Sequence, residues 1–176
     1  SAKFKRDNNL NYSTNQIVVS TGAKQSIANA VQALIKPGEE VILLAPFWVS
    51  YSAIVLMAEG VPKIINSDIN SDFKVNAEEI EKAINDKTKM IIINSPNNPS
   101  GSVFNREELN KIASVLKKYP NIFILSDEIY EHINYGEEHV SFASIDEMYD
   151  RTITVNGIAK AFAMTGWRIG YLGAPS

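Results

Sequence analysis

The sequence lacks cysteine altogether in its 176 residues. This absence excludes a disulfide framework, a thiol nucleophile and any cysteine-ligated zinc or iron–sulfur site. It also lacks a long hydrophobic run: the longest, Val41 to Val49, contains a proline and falls far short of the roughly 20 residues that span a bilayer. The first residues carry no apolar stretch typical of a signal peptide, so we expect a cytoplasmic chain with no membrane partner.

The sequence also lacks a large excess of charge of one sign. The chain has 17 basic and 20 acidic residues, a net charge of −3, and its lysines and arginines are spread along the sequence. This pattern gives no basic surface for nucleic acid, which we exclude as a partner. With 45% apolar residues the chain has enough apolar mass for one folded domain over residues 1–176, and its first residue, Ser1, indicates a piece of a longer protein.

Several phosphate and metal motifs are also missing. The sequence contains neither G-x-G-x-x-G nor the P-loop pattern, and His132 and His139 do not form an H-E-x-x-H pair. We interpret the two histidines as surface or supporting residues. The sequence therefore predicts no metal site.

Short β-branched runs recur along the chain, and helical patterns lie between them. Several runs, such as Val41 to Leu44 and Met90 to Ile93, are continuously apolar, which is typical of strands buried on both faces of a parallel sheet. The predicted strands are Ile17 to Ser20, Glu40 to Leu44, Val61 to Ile65, Lys89 to Asn94, Ile122 to Ser126, Thr152 to Val155 and Ile169 to Gly173.

Helices are predicted over Lys24 to Ile35 and Arg106 to Lys118, where apolar residues recur near a period of 3.6. Asn76 with Glu79, and Asn105 with Glu108, have the spacing of capping boxes. Alternating strands and helices predict a three-layer α/β/α domain. Because ligands of open α/β sheets bind beyond the carboxyl ends of the strands, we examine the residues that follow each strand.

Two of these segments are rich in glycine, proline and asparagine. Gly22, Ala23 and Lys24 form a glycine turn that opens a helix, where free N–H groups favour an anion, although an N-cap in a tight strand-to-helix turn is the better explanation of this motif taken alone. Asn98 lies in the sequence SPNNPSG, which is either a rigid turn or a loop that displays an amide to a ligand.

Asp127 ends an apolar run, so its carboxylate is expected to be partly buried and to need a cation or several donors. The alternative is that it caps a helix beginning at Glu128. On such a helix Tyr130 would lie on the same face and reach the same ligand.

Lys160 is flanked by small apolar residues, and we expect desolvation to lower its pKa and make a nucleophilic amine. A lysine that extends its amine to solvent remains the alternative. Arg168, eight residues later, offers a guanidinium fork suited to phosphate.

Four motifs occur in order along the chain: STGAKQSI at 20–27, SPNNPSG at 95–101, SDEIYEHINY at 126–135 and NGIAKAFAMTGWRIGY at 156–171. In this order they resemble the pyridoxal-phosphate-dependent aminotransferases of fold type I, class I, near the bacterial aspartate aminotransferases. The resemblance covers essentially the whole chain. It implies a mixed, mostly parallel seven-stranded sheet whose last strand is antiparallel, and pyridoxal 5'-phosphate as cofactor.

The resemblance also implies roles for individual residues. Lys160, Asp127 and Tyr130 resemble the catalytic residues: the Schiff-base lysine, the partner of the pyridine nitrogen, and a donor to the ring's phenolic oxygen. The remaining cofactor contacts implied are Asn98 to the same oxygen, Trp48 and Ile129 on the two ring faces, and Gly22, Ala23, Lys24 and Arg168 at the phosphate. Ala159 and Gly157 replace two serines common in relatives, which removes two hydroxyl contacts to the phosphate.

Members of this family are about twice as long and form dimers, and their substrate-binding arginine lies outside these residues. The resemblance therefore implies the core of a large domain from a homodimeric enzyme. That enzyme would transfer an amino group between an amino acid, aspartate in the first place, and a 2-oxo acid. The isolated core is expected to be nearly inactive. A carbon–sulfur lyase, the sensor domain of a transcription regulator and a purely structural fragment remain alternatives.

Overall fold

The computed structural model describes residues 1–136 and 138–176, which form one seven-stranded sheet flanked by five α-helices. The strands are β1 Ile17–Thr21, β2 Glu40–Leu44, β3 Val61–Ile65, β4 Thr88–Asn94, β5 Phe123–Asp127, β6 Thr152–Gly157 and β7 Ile169–Gly173. The helices are α1 Ala2–Asn8, α2 Ala23–Leu34, α3 Ser50–Met57, α4 Ala77–Ala83 and α5 Arg106–Lys117. All seven predicted strands are confirmed, with ends that differ by at most two residues.

The strand order is β1-β7-β6-β5-β4-β2-β3. The neighbouring pairs from β6 to β3 are parallel, whereas β7 pairs antiparallel with both β1 and β6. The expected mixed sheet with an antiparallel last strand is therefore confirmed. Because β7 runs in the opposite direction, its first residues lie at the edge where the other strands end.

Helices cover both faces of the sheet. Val41 and Leu43 pack toward α2 and α3, and their neighbours Ile42 and Leu44 pack toward α4 and α5. Burial on both faces is the reason why β2 is continuously apolar in sequence. Helix α1 lies on the α5 side, where Tyr12 beyond it shares a hydrogen bond with Thr154 at 3.2 Å.

The two predicted capping boxes are both present. Asn76 accepts from the backbone N–H of Glu79, and Asn105 from that of Glu108, each at 2.9 Å. Such caps satisfy donors that every helix N-terminus leaves open. Helices α1 and α3 were not predicted, because α1 is short and α3 is apolar on its exposed side as well as its buried one.

Among the described residues, no helix combines the length and the apolar character needed to cross a membrane.

Candidate functional site

A cavity of about 250 Å³ opens at the edge where β1, β2, β4, β5 and β6 end and β7 begins. We call it the strand-end cavity. Nine of the ten predicted site residues line it: Ala23, Lys24, Trp48, Asn98, Asp127, Ile129, Tyr130, Lys160 and Arg168. Ile27, Tyr51, Asn94 and Ala159 complete the lining. The topology thus collects residues that are up to 145 positions apart in sequence (168 − 23 = 145).

Asp127, the last residue of β5, lies on the cavity floor and is only 3% exposed. One carboxylate oxygen accepts from the Tyr51 hydroxyl at 2.5 Å, and the other accepts from the Ile129 N–H at 3.2 Å. Burial raises the pKa of Asp127 to about 6, although both hydrogen bonds favour the ionised form. Burial and the nearby Asp127 also raise the pKa of Tyr51.

The expected helix beginning at Glu128 is wrong. Residues 128–132 form turns, closed by hydrogen bonds from Glu131 N–H to Glu128 O at 3.0 Å and from Ile133 N–H to Tyr130 O at 2.8 Å. Asp127 therefore caps no helix. Its neighbour Ile129 is buried in the cavity wall, and Tyr130 reaches the same cavity from the turn rather than from a helical face.

Asn94 joins Asp127 to the loop that follows β4. Its side-chain N–H group donates to the Asp127 carbonyl at 2.9 Å, and its side-chain oxygen accepts from the Asn98 N–H at 2.8 Å. The Asn98 side chain in turn donates to the Tyr130 hydroxyl at 3.1 Å. Asn98 and Tyr130, predicted to act on one ligand atom, are therefore in direct contact.

Lys160 follows β6, and its amine lies 5.9 Å from the centre of the Tyr130 ring. The expectation that apolar neighbours desolvate this amine is wrong, because Lys160 is exposed in this structure. Its apolar sequence neighbours include Ala159, which is buried, and Phe162, which is itself 57% exposed. Lys160 therefore lines the cavity and is an exposed residue at the same time.

The other end of the cavity is built from the start of α2 and from Arg168. Gly22 precedes α2 with φ at 82° and lies behind the cavity wall, so close to Arg168 that a side chain there would overlap the guanidinium. The N–H groups of Ala23 and Lys24 belong to the first helical turn, where they have no partner within the helix. Gly170 lies against the start of α2, so close that a methyl group on Gly170 would overlap the backbone of Ala23.

Cations outnumber anions around the strand-end cavity. Lys24, Lys160 and Arg168 line it with Asp127 as the one carboxylate, a balance of +2 when Asp127 is ionised (3 − 1 = +2). The Lys24 amine also lies 4.9 Å from the centre of the Trp48 ring. The arrangement suits a ligand with a flat ring, an anionic group at the α2 end and a proton donor toward Asp127.

Sequence reasoning missed Tyr51 and Asn94. Tyr51 lies on α3, whose lack of periodic apolar pattern hid the helix, and its buried hydroxyl contacts Asp127 across 76 residues. Asn94 could have been found, because a polar side chain ends the otherwise apolar run of β4.

Removing the Tyr51 hydroxyl (Tyr51→Phe) is expected to raise the pKa of Asp127 above about 6, because the carboxylate loses a donor that favours its ionised form. Carbon-13 NMR titration of the aspartate carboxyl groups measures the shift. Tyr12→Phe is the matched control, because the Tyr12 hydroxyl contacts Thr154 on the opposite face of the sheet. An unchanged Asp127 titration in Tyr51→Phe would contradict this geometry.

Comparison with known proteins identifies relatives over the whole chain. The sequence profile of the family "Aminotransferase class I and II" matches residues 1–176. An aspartate/prephenate aminotransferase from Nitrosomonas europaea is 50% identical over 99% of this chain and 45% of its own length. An aspartate aminotransferase from Pinus pinaster is 51% identical over 98% of this chain and 36% of its own length.

Solved structures agree. An aspartate aminotransferase from Rhizobium meliloti superposes with a TM-score of 0.96 at 46% identity, covering 98% of this chain and 44% of that one. One from Thermus thermophilus, solved with maleate, gives a TM-score of 0.95 at 42% identity and covers 99% and 45%. The chain thus spans less than half the length of these relatives. Its sequence and its fold together show that it belongs to the class I and II aminotransferase family.

Proposed function

We propose that the whole protein transfers an amino group between an amino acid and a 2-oxo acid, using pyridoxal 5'-phosphate held in the strand-end cavity. These 176 residues would be the core of its large, cofactor-binding domain, and the whole protein a cytoplasmic homodimer. One observation carries the proposal: an exposed lysine, a buried carboxylate, an aromatic side chain and an anion-binding helix start line one cavity.

The residues present fit this cofactor. Burial makes the negative charge of the Asp127 carboxylate unfavourable and so raises its pKa to about 6; a protonated ring nitrogen beside it would compensate that charge. Arg168 and the first amides of α2 offer charge-assisted donors to a phosphate. Trp48 and Ile129 provide apolar surface for the two ring faces, and Asn98 and Tyr130 provide donors for a ring oxygen.

When bound, pyridoxal phosphate supplies an aldehyde and an electron-accepting ring. The residues of this chain orient the ring and move protons. Asp127 holds a proton on the ring nitrogen, and Tyr51 and the Ile129 N–H hold Asp127 in place. Lys160 would supply the nucleophilic amine for the aldehyde, and the same amine would accept the proton that leaves the substrate's α-carbon.

Aspartate is the proposed amino-group donor. Relatives whose sequences are 50% and 51% identical to this chain are named aspartate/prephenate aminotransferase and aspartate aminotransferase. The structure of the Thermus thermophilus enzyme was solved with maleate, a dicarboxylate. The group that binds the substrate's α-carboxylate would lie outside these residues, so the isolated chain is expected to transaminate at a negligible rate.

The test is to add pyridoxal phosphate to the purified chain, reduce with borohydride and map the modified peptides. We expect the label on Lys160 among the 13 lysines. Lys24→Ala is the matched control, because Lys24 is the other cavity lysine and its loss should leave the Lys160 label in place. A label scattered over surface lysines would contradict the proposed cofactor site.

Activity of the whole protein separates the remaining alternatives. Transfer of the amino group that depends on a 2-oxo acid supports an aminotransferase, whereas release of ammonia or a thiol supports a lyase. Transamination by the isolated chain at an ordinary enzymatic rate would overturn the proposal that the chain is an incomplete core.

A further inference from the structure

A second polar group lies on the opposite face of the sheet from Tyr51 and joins the N-terminal helix to the turn after β5. We call it the Asn8 cluster: Lys3, Asn8, Glu128, Glu131 and His139. Asn8, the last residue of α1, is 5% exposed. Its side-chain N–H group donates to Glu131 at 2.8 Å and to Glu128 at 3.3 Å, and its oxygen accepts from the Lys3 amine at 2.7 Å.

The two carboxylates of the Asn8 cluster are almost fully buried, Glu128 at 1% and Glu131 at 6% exposure. Buried carboxylates are destabilising unless donors or cations surround them. Glu128 also accepts from the hydroxyls of Ser126 and Ser141, both at 2.8 Å, and Glu131 forms an ion pair with Lys3. Among the described residues, the Asn8 amide is the one neutral donor recorded as bridging both acids.

Ligand atoms of Glu128, Glu131 and His139 lie within 4.8 Å of one another, a spacing that would also suit a metal ion. The hydrogen bonds argue for a different role. The Asn8 amide donates to both carboxylates, and His139 Nε2 lies 3.2 Å from the Glu128 oxygen that the amide contacts. The cluster is thus already supplied with donors by the protein itself.

In sequence, Glu128 and Glu131 directly flank Ile129 and Tyr130, the two residues that the turn contributes to the strand-end cavity. The turn belongs to neither a helix nor a strand, so no regular ladder of hydrogen bonds holds it. The Glu128 N–H anchors the start of the turn to the Val155 carbonyl of β6 at 2.9 Å, and the side chains of Glu128 and Glu131 attach the turn to the N-terminal helix. The Ile129 N–H donates to Asp127 at 3.2 Å, so any movement of the turn also changes the environment of the cavity carboxylate.

We propose that Asn8 is a positioning residue for the strand-end cavity: by bridging Glu128 and Glu131, it fixes the turn that presents Ile129 and Tyr130. Helix α1, remote from the cavity, would then belong to the machinery of the site. That last step rests on the proposed function. The placement of the turn itself does not.

The principal variant is Asn8→Asp, which keeps the size of the side chain but replaces the shared donor with a third negative charge. Hydrogen exchange resolved by residue should then speed up at the Ile129 N–H by about tenfold or more, while exchange in β4 stays unchanged. The Asp127 carboxyl should titrate at higher pH, because it loses the Ile129 donor. Neither readout needs a bound cofactor.

Two further variants keep the test decisive. Tyr149→Phe is the matched control, because the Tyr149 hydroxyl donates to the Asn11 carbonyl at 2.9 Å just beyond α1 and outside the Asn8 cluster; the change should leave Ile129 exchange and the Asp127 titration unchanged. Asn8→Asp combined with Glu131→Gln restores the link to position 131 alone, since the new amide can donate to the new carboxylate, whereas that carboxylate cannot donate to Glu128. Ile129 exchange should therefore slow only in part, to a rate between those of Asn8→Asp and the wild type.

If Asn8→Asp does not fold, Asn8→Ala takes its place, and faster Ile129 exchange is again expected. The proposal is overturned if Asn8 variants leave Ile129 exchange and the Asp127 titration unchanged. It is also overturned if exchange rises evenly through the chain, or if Tyr149→Phe has the same local effect. A chain that shows the expected exchange but is not labelled at Lys160 would contradict the proposed function alone.

Discussion

Replacing the buried carboxylate with an amide (Asp127→Asn) is expected to stabilise the chain more at neutral pH than at acidic pH. The difference in free energy of unfolding, variant minus wild type, should be about 3 kcal/mol larger at pH 7 than at pH 3.5. Burial raises the pKa of Asp127 from 3.8 to about 6 in the folded chain. Between these values the folded state binds more protons than the unfolded state, so this group's contribution to stability falls as pH rises. The variant has no charge to bury.

Urea unfolding of both proteins at pH 3.5 and pH 7 measures this effect. The difference between wild type and variant isolates Asp127, because all other titrating groups are shared. Asp86→Asn is the matched control, since Asp86 is exposed on a loop and its replacement should give the same small difference at both pH values. Equal differences at both pH values for Asp127→Asn would contradict a carboxylate buried in the strand-end cavity.

Adding a single methyl group at the start of β7 (Gly170→Ala) is expected to lower the free energy of unfolding by about 3 kcal/mol. The methyl group would overlap the N atom of Ala23 and the carbonyl carbon of Gly22, and backbone atoms cannot rotate away as a flexible side chain can. The start of α2 must therefore move off the sheet. Urea unfolding measures the loss.

The same displacement should damage the anion end of the strand-end cavity more than the ring end. If the cavity binds pyridoxal phosphate, Gly170→Ala should lose about tenfold or more of the preference for pyridoxal phosphate over pyridoxal, because the α2 amides no longer face the phosphate beside Arg168. Gly166→Ala is the matched control, since a methyl group there would have no atom of the described residues within 4 Å apart from Gly166 itself and its two chain neighbours. Unchanged stability and an unchanged preference in Gly170→Ala would show that the close contact is not needed.

The positions of the strands could be predicted because short, largely β-branched runs recur between helical patterns, whereas the mixed sheet with its antiparallel last strand was implied by the family resemblance. The Val41–Leu44 run is buried on both sides, and that environment produces a pattern that can be read directly. Helix α3 has no comparable pattern. It buries Tyr51, Ile54 and Val55 but also exposes Leu56 and Met57, so its apolar residues do not form one stripe.

The candidate site was predictable to the extent that polar residues follow strands directly. Asp127 is the last residue of β5, Asn98 and Lys160 stand just beyond the ends of β4 and β6, and parallel strands bring such positions together. Their surroundings were not predictable. The exposure of Lys160 depends on how the chain after β6 is folded, and the turn after Asp127 depends on Glu128 bonding to Ser126 and Ser141 rather than starting a helix.

Contacts between distant segments left no signal in the sequence. Asn8 belongs to no motif in the sequence, and its partners lie 120 and 123 positions later. Tyr51 likewise finds Asp127 across 76 positions. The local spacing of apolar residues predicts which side chains of a helix or strand are buried. A hydrogen bond between distant side chains depends instead on the order of the strands in the sheet, which cannot be derived from local spacing.

The position of β7 has a consequence for how the chain acquires its structure. In the sheet, β1 has β7 as its neighbour, so Ile17 pairs with Gly173 and the first strand can join the sheet only when the last strand is present. Such long-range pairing raises the contact order and slows folding, because a large loop must close before the contacts stabilise it. Arg168 and Gly170 arrive with β7, and a ribosome would have made almost all of these residues before the anion end of the cavity could form.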